Sequence, residues 1–189
     1  MKQLVVLVGL PGSGKAAVAR EHADWVTVSR EDVRRFVFRA IFDSEHEASV
    51  DRIFAAALVE AIDSDAPVVC VDDLHLTREA RGSLLEVARI SGRRPAAYVM
   101  PDEPIDVLLA RMKSEREELR KTTPWLKVAE LPRERLEALA RLYQPVEETE
   151  GFARVVAVPR PETPQPERSP SRRPTSQRKE RREPLPLFV

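Results

Sequence analysis

The chain has 189 residues, with 31 lysine and arginine residues balanced by 31 aspartate and glutamate residues, and one cysteine. This length fits one globular domain with a tail, and the balanced charge favours neither a nucleic-acid partner nor its absence. A single cysteine excludes a disulfide framework within the chain, and no apolar run approaches the length of about twenty residues that spans a membrane. Since the first residues also lack a signal-peptide pattern, we expect a soluble protein of the reducing cytoplasm without a membrane contact.

An apolar run leads into a glycine-rich loop at the start of the chain. Residues 4–8 predict a buried strand, and the loop that follows has the Gly-x-x-x-x-Gly-Lys spacing of a P-loop. Such a loop surrounds the β-phosphate of a nucleotide with backbone N–H groups, while its lysine reaches the β- and γ-phosphate oxygens. Helix-forming sequence at 15–21 completes the strand–loop–helix context. The predicted nucleotide-binding residues are Gly9, Pro11, Gly12, Ser13, Gly14, Lys15, Ala16 and Ala17.

One position of this motif is unusual. The residue after the lysine is ordinarily Ser or Thr, whose hydroxyl binds Mg²⁺, and this chain has Ala16 instead. The substitution bears more on catalysis than on binding, because the backbone donors and Lys15 remain and a water molecule can take the place of the hydroxyl at the metal.

Strand-like and helix-like segments alternate along the rest of the chain. Ser29 is placed to cap one helix, and Thr77 caps another that ends at Gly92. Further helices are expected at about 47–62, 105–120 and 132–143, and further strands at 25–28, 67–71, 96–100 and 153–158. This alternation predicts an α/β fold with a five-stranded, mostly parallel sheet, helices on both faces, and functional residues at the carboxyl ends of the strands.

The helix after Ser29 carries apolar residues at helical spacing, namely Val33, Phe36, Val37, Ala40 and Ile41. We interpret Phe36 as a core residue. Phe38 or Phe42 is a candidate for stacking on a nucleic-acid base, and Trp25 is counted among the aromatic residues near the acceptor.

Acidic residues follow two of the predicted strands. Asp72 and Asp73 end the third strand, where a carboxylate beside a P-loop holds Mg²⁺ directly or through water, although turns also favour aspartate. Glu31 and Asp32 follow the second strand, with three arginines in the same helical turn. The alternative is that these two acids merely stabilise the start of a helix.

The composition changes near residue 159. Half of the sixteen prolines lie in the last thirty-one residues, together with many Arg, Ser and Glu residues. Such a segment cannot build a core, so we expect a folded domain over 1–158 and a disordered tail over 159–189. The tail either holds RNA or an acidic surface loosely or is a linker without a partner.

Five segments together resemble the ATP-binding kinase family that includes the polynucleotide 5′-hydroxyl kinase domains of phage and bacterial end-healing enzymes. They are GLPGSGKAAVAR, SREDVRR, VVCVDDLHLTREAR, LLARMKSERE and YQPVEETEGFARVVAV, and the resemblance extends over residues 2–158. It implies a P-loop NTPase three-layer sandwich with a helical lid. It also implies ATP and Mg²⁺ as cofactors and transfer of the γ-phosphate to a hydroxyl, with a nucleic-acid 5′ end as the favoured acceptor.

The resemblance assigns roles to the residues after the second strand. In that family the first acid of this motif accepts the proton of the attacking hydroxyl, and an arginine three residues later contacts a phosphate. The corresponding residues are Glu31, with Asp32 beside it, and Arg34. The family's lid carries arginines that fold over the transferring phosphate, for which Arg111 and Arg116 are the candidates and Arg120 a weaker one.

The resemblance also covers the end of the third strand. The family has an aspartate followed by Thr-Asn-Leu there, and this chain has Asp72 and Asp73 followed by His75 at the usual asparagine. By this resemblance Asp72 and Asp73 bind the metal, and Arg34, Asp73 and His75 contact the acceptor.

Three departures fall in the catalytic ring, at Ala16, Glu31 and His75. Asp32 can replace Glu31 as the base, and an imidazole can donate a hydrogen bond as asparagine does. Two alternatives to a polynucleotide kinase therefore stay open. One is a nucleotide-binding regulatory module with impaired or no transfer, and the other is a small-molecule kinase on the same scaffold. The sequence does not determine the oligomeric state.

Overall fold

A computed structural model describes residues 1–42 and 44–160 of the chain, so the expected disordered tail lies almost entirely outside the described residues. The strands are β1 (Gln3–Val8), β2 (Val26–Ser29), β3 (Val68–Asp72), β4 (Arg94–Val99) and β5 (Arg154–Ala157). The helices are α1 (Lys15–Glu21), α2 (Arg30–Val37), α3 (Glu47–Asp63), α4 (Arg78–Ser91), α5 (Ile105–Thr122) and α6 (Arg133–Leu142). A 3-10 turn covers Glu148–Glu150.

All five strands form one parallel sheet in the order β2-β3-β1-β4-β5. The central strand β1 is buried on both faces, which explains why its sequence is continuously apolar rather than alternating. Parallel strands require crossover connections, and the helices supply them. The prediction of an α/β P-loop fold with a five-stranded sheet is confirmed, and the sheet is wholly parallel.

Side chains of β1 alternate between two apolar clusters on opposite faces of the sheet. Leu4, Val6 and Val8 pack against α3 and α4, while Val5 and Leu7 pack against α1. These clusters make the three layers of the fold. The cysteine Cys70 is fully buried in the second cluster, and burial raises the pKa of its thiol to about 12. It therefore acts as a small apolar residue.

The helices α5 and α6 form a separate apolar cluster with the P-loop residue Leu10. Its buried members are Leu108, Met112 and Leu136. The base of α5 therefore rests directly on the loop that follows β1.

The helix α2 differs from the expectation at its carboxyl end. It ends at Val37, and the left-handed backbone of Arg39 (φ 55°) then turns the chain. The prediction that Phe36 is a core residue is wrong, because this side chain is 71% exposed. The reason is that α2 is held on α3 by ion pairs of Arg30 with Asp51 and of Arg34 with Glu47, which leaves the Phe36 face outward.

The placement of Trp25 near the acceptor is also wrong. Trp25 precedes β2 and so lies at the amino end of the sheet, away from the P-loop. Its ring stacks on His22 at 3.8 Å and meets Tyr98 edge-on at 5.4 Å. Because ligands of parallel sheets bind at the carboxyl ends of the strands, Trp25 lies at the opposite end of the sheet from the ligand site, where it packs against other side chains of the domain.

Within the described part of the chain, no helix combines the length and the apolar character that crossing a membrane requires.

Candidate active site

The P-loop adopts a conformation that only glycine can provide at two positions. A Cβ on Gly9 would lie 2.7 Å from Cβ of Met100 and 2.8 Å from Oγ of Ser13. Gly12 has a φ of 76°, and a Cβ there would lie 2.8 Å from the carbonyl oxygen of Leu108 on α5. The loop is thus packed closely between the end of β4 and the first turns of α5, and this packing fixes its conformation.

The polar side chains of the loop point to a ligand. Ser13 is buried, and its Oγ has no hydrogen-bond partner in the part of the chain that the structure describes. A buried hydroxyl without a partner is costly, and a phosphate oxygen would satisfy it. Pro11 and Gly14 complete the turn, while Ala16 and Ala17 form the first turn of α1.

The ammonium group of Lys15 is buried and folded back on the loop. It donates hydrogen bonds to the carbonyl oxygens of Gly9 at 2.9 Å and Leu10 at 2.8 Å. Burial lowers the pKa of Lys15, and the nearby carboxylates of Asp72, Asp73 and Glu31 oppose that change. Carboxylates from the ends of β2 and β3 therefore meet at this lysine, which follows β1.

Asp72 is the most buried carboxylate of the site. It lies at the end of β3 in register with Ser29 of β2, and it is 9% exposed. Burial raises its pKa to about 6, and Lys15 opposes the rise. A carboxylate held in this way gains from a bound cation, which would relieve the cost of its charge.

The residues fit a magnesium ion that is completed by the substrate. No group of three or more metal-binding side chains occurs among residues 1–42 and 44–160. Mg²⁺ ordinarily takes one or two carboxylates together with phosphate oxygens and water, so Asp72 and Asp73 are suitable donors.

The sequence interpretation missed Arg30, which organises the acidic residues around the site. Its Nε lies 2.6 Å from Oδ2 of Asp73, its Nη1 pairs with Asp51, and its guanidinium lies 4.7 Å over the ring of Phe54. A signal was present in the sequence. Arg30 and Arg34 are four residues apart, as are Glu47 and Asp51, so two neighbouring helices can pair them across their faces.

The acids of α2 have different environments. Glu31 is about half exposed; partial burial and then Glu115 of α5 raise its pKa. Asp32 is exposed, and its backbone N–H donates to Oγ of Ser29 at 3.3 Å, so Ser29 is the predicted helix cap. Glu31 interacts electrostatically with both Lys15 and Glu115 of α5.

Arg34 is engaged away from the phosphate loop. Its Nε and Nη2 donate to the two carboxylate oxygens of Glu47 at 2.8 and 2.7 Å. This bidentate pair is a strong contact, and the hydrogen bonds that Arg34 donates to Glu47 raise the pKa of Arg34 further. An acceptor phosphate at Arg34 would have to share it with Glu47.

His75 lies behind the P-loop. It is 8% exposed, has a left-handed backbone (φ 45°), and its Nδ1 lies 2.8 Å from the carbonyl oxygen of Leu7. Burial lowers the pKa of its imidazole. The neighbouring Leu74 accepts a hydrogen bond from the N–H of Gly9 at 3.1 Å. The segment after β3 thus fixes the start of the P-loop, and contact of His75 with an acceptor stays a prediction.

A buried ion pair holds the segment after β3 in place. Arg81 is fully buried and makes a bidentate pair with Glu150, at 2.7 Å for both contacts. The same guanidinium donates to the carbonyl oxygens of His75 at 3.1 Å and Leu76 at 3.2 Å. The pair joins α4, the His75 segment and the chain that precedes β5.

The lid arginines fall into two groups. Arg111 is paired with Glu103 at 3.0 Å, and its buried Nη1 has no hydrogen-bond partner among the described residues. It stands next to Met112, which packs near Gly12 of the P-loop. Arg116 and Arg120 both pair with Glu130. The structure therefore pairs Arg111 with the acid that precedes α5 and ties the other two to the connection between α5 and α6.

Comparisons with known proteins agree with this geometry at the level of the fold. No curated protein matches the chain. Among solved structures, the Pnkp1/Rnl/Hen1 RNA repair complex is similar with a TM-score of 0.59 and 20% identity over 75% of this chain and 43% of that chain. The chain thus spans less than half of that polypeptide.

Two further structures cover most of both chains. Kti12 from Chaetomium thermophilum, in complex with ADP-AlF3, gives a TM-score of 0.58 with 19% identity over 82% of this chain and 88% of that chain. A putative kinase from Chloroflexus aurantiacus gives 0.57 with 16% identity over 83% and 87%. A family model described as an AAA domain matches residues 4–146. The chain is therefore a member of this AAA domain family, with a P-loop kinase-like fold.

Proposed function

We propose that this protein is an ATP-dependent phosphotransferase that moves the γ-phosphate of ATP to a hydroxyl, and that the hydroxyl is the 5′ end of a polynucleotide. The observation that carries the proposal is the meeting of Lys15, Asp72 and Glu31 at the carboxyl ends of three strands. A cation for phosphate, a carboxylate for metal and a second carboxylate for a proton are the groups that phosphoryl transfer requires.

The transfer is an in-line displacement. The acceptor oxygen forms a bond to the γ-phosphorus, the bond from that phosphorus to the β–γ bridging oxygen breaks, and ADP leaves with the electron pair. The acceptor proton passes to the carboxylate of Glu31, whose pKa is already raised by partial burial and by Glu115. Asp32 is the alternative base.

The other residues stabilise charge on the phosphates. Lys15 would exchange its bonds to the Gly9 and Leu10 carbonyls for the β- and γ-phosphate oxygens, and Arg111 would approach them from the lid. Asp72 and Asp73 would hold Mg²⁺. The metal supplies positive charge that neutralises the phosphate oxygens as the displacement proceeds.

The polynucleotide acceptor is supported by the SREDVRR segment and its resemblance to the end-healing kinases. The arginines Arg30 and Arg34 flank Glu31 on α2 and suit a phosphate next to the attacked nucleotide. Both arginines pair with acids of α3. An acceptor phosphate would replace or share these carboxylates as the partner of each guanidinium.

A transfer assay with γ-labelled ATP tests the proposal. The acceptors are 5′-hydroxyl DNA and RNA oligonucleotides, nucleosides and small alcohols. Label on the oligonucleotides is expected, with a fall of about a hundredfold or more in Glu31→Gln and less than about tenfold in Asp32→Asn. Label on a small alcohol alone would show that the acceptor is a small molecule rather than a polynucleotide. A larger loss of transfer in Asp32→Asn than in Glu31→Gln would show that Asp32 is the base.

A nucleotide-binding module without transfer is the second candidate. Two observations favour it, since Ala16 lacks the hydroxyl for the metal and Lys15 already donates to two backbone carbonyls. Calorimetry with ATP and with a non-hydrolysable analogue separates the two. Equal affinities with no label in any acceptor would establish the module.

A further inference from the structure

An exposed set of aromatic side chains lies at the end of α2 and the end of the lid. Phe36 is 71% exposed, Phe42 is 50% exposed and Trp125 is 52% exposed. In the part of the chain that the structure describes, every strongly exposed phenylalanine or tryptophan belongs to this set. We name these three residues together with Arg39 the aromatic surface. Large exposed rings on adjacent segments of the chain suit a binding surface.

Backbone contacts hold the two halves of this surface together. The N–H of Lys127 donates to the carbonyl oxygen of Arg39 at 2.8 Å, and the N–H of Ile41 donates to the carbonyl oxygen of Lys127 at 2.9 Å. Ala40 and Leu126 are buried beneath this bridge. The rings are therefore presented from a fixed support rather than from free loops.

Guanidinium groups accompany the rings. Arg39 lies 5.8 Å over the ring of Trp125, and Arg35 lies 6.0 Å over that of Phe36. No carboxylate pairs with Arg39 in the described residues, and Arg35 has only a 3.8 Å contact with Glu31. Alternating cations and exposed rings suit a strand of phosphates and bases better than they suit an aliphatic protein partner.

The position of the surface fits an acceptor strand. Six residues of α2 separate Glu31 from Val37, which is about 9 Å along the helix axis. A stacked single strand covers that length in about three nucleotides. A chain whose 5′-hydroxyl lies at Glu31 therefore passes the end of α2 within about three nucleotides, and Arg39, which lies over Trp125, follows that end by two residues.

We propose that the aromatic surface binds the single-stranded nucleic acid downstream of the phosphorylated end, by stacking of its bases on Trp125 and by contact of a phosphate with Arg39. This inference rests on the proposed function, since it assumes a polynucleotide acceptor. It adds a subsite next to the acceptor site at Glu31. The subsite is built jointly by α2 and the connection that follows α5.

Binding is tested without transfer, by anisotropy of a 3′-labelled 12-nucleotide 5′-hydroxyl strand mixed with the full chain. Trp125→Ala is expected to weaken binding about five- to hundredfold, and Trp125→Phe, which keeps a ring, is expected to bind nearly as well as the wild type. Arg39→Ala should reduce the slope of log affinity against log salt by about 0.7. The control is Ile90→Ala, an equally exposed apolar residue on α4, which should change nothing.

Transfer assays distinguish a failure of this subsite from a failure of the proposed function. With a subsite, Trp125→Ala raises KM for the 12-nucleotide acceptor while KM for ATP stays constant. Unchanged strand affinity in Trp125→Ala, or no binding by the wild type, overturns the subsite even if oligonucleotides are phosphorylated. If strand binding falls in Trp125→Ala but no acceptor is labelled, the surface stands and the kinase proposal fails. A loss of self-association in Trp125→Ala, with strand affinity unchanged, would make the surface a contact between copies of this chain instead.

Discussion

The ammonium group of Lys15 lies 2.9 Å from the carbonyl oxygen of Gly9, at the other end of the same loop. The lysine therefore closes the P-loop on itself. Because the carbonyls satisfy it only partly and burial lowers its pKa, an anionic ligand offers the group a better partner.

Replacement of this lysine should abolish tight nucleotide binding. Lys15→Ala removes the positive charge from the β- and γ-phosphate oxygens, and we expect ATP affinity to fall about a hundredfold or more in calorimetry. The control is Lys113→Ala, since that lysine is exposed on α5. An affinity within a factor of two of the wild type would contradict the P-loop assignment.

The residue after the lysine tests how the metal is held. Ala16→Ser adds the missing hydroxyl on the first turn of α1, and turnover should rise by up to about a hundredfold at saturating Mg²⁺, or about 2.7 kcal/mol, with a smaller change in ATP affinity. Steady-state transfer is measured across a Mg²⁺ titration. The same rate and the same metal midpoint in both proteins would indicate that Asp72 and Asp73 hold the ion without help from this position.

The buried carboxylate of Asp72 should make the nucleotide-free protein less stable at neutral pH. Its pKa is about 6 in the folded protein, against about 3.9 in an unfolded chain. The folded state therefore binds more protons between these values, so the free energy of unfolding falls as pH rises through this window and stays low above it.

Asp72→Asn removes this penalty. Unfolding in urea without nucleotide should show the variant more stable by up to about 3 kcal/mol at pH 7.5 and by only about 1 kcal/mol at pH 4.5. Phosphoryl transfer by the variant should be lost if Asp72 holds the metal. A difference in stability that is equal at the two pH values would show that the charge of Asp72 is not its cause.

Removal of one partner of the Arg81–Glu150 pair should destabilise the protein strongly, because the other charge is then buried without a partner. Arg81→Met should lower the free energy of unfolding by about 3–5 kcal/mol, and the double variant Arg81→Met, Glu150→Leu should recover part of it. Urea unfolding measures both. Arg89→Ala on the same helix is the matched control, since both Arg89 and its partner Glu86 are exposed and the loss should be much smaller. A cost in Arg81→Met no larger than in the control would refute the role given to the pair.

Local patterns predicted most of the fold. The apolar run of β1, the caps Ser29 and Thr77 and the stop at Gly92 are short-range signals, and each lies at an element boundary in the structure. The error at Phe36 has a different origin. Helical spacing shows that Phe36 shares a face with other apolar residues, but whether that face is covered depends on the ion pairs between α2 and α3.

Arginine roles were the least predictable part of the site. Arg81 and Arg93 are both buried, and Arg93 donates to carbonyl oxygens around the end of α3, including that of Ile62 at 2.9 Å. Their partners are distant in sequence and are largely backbone atoms, which have no sequence signature. The lysine of the P-loop was predictable because its partners come from its own motif.

The central position of β1 has a consequence for synthesis on the ribosome. Gln3 pairs with Val68 on one side and with Arg94 on the other. The apolar strand β1 is therefore translated well before β3 and β4, the two strands that pair with it. Some ninety residues must be translated before both of its edges are hydrogen-bonded. Until then an apolar strand with at least one open edge is exposed, which is a state that chaperones recognise and from which aggregation starts. Slow emergence of β4 would therefore lower the yield of folded protein without altering any contact of the finished molecule.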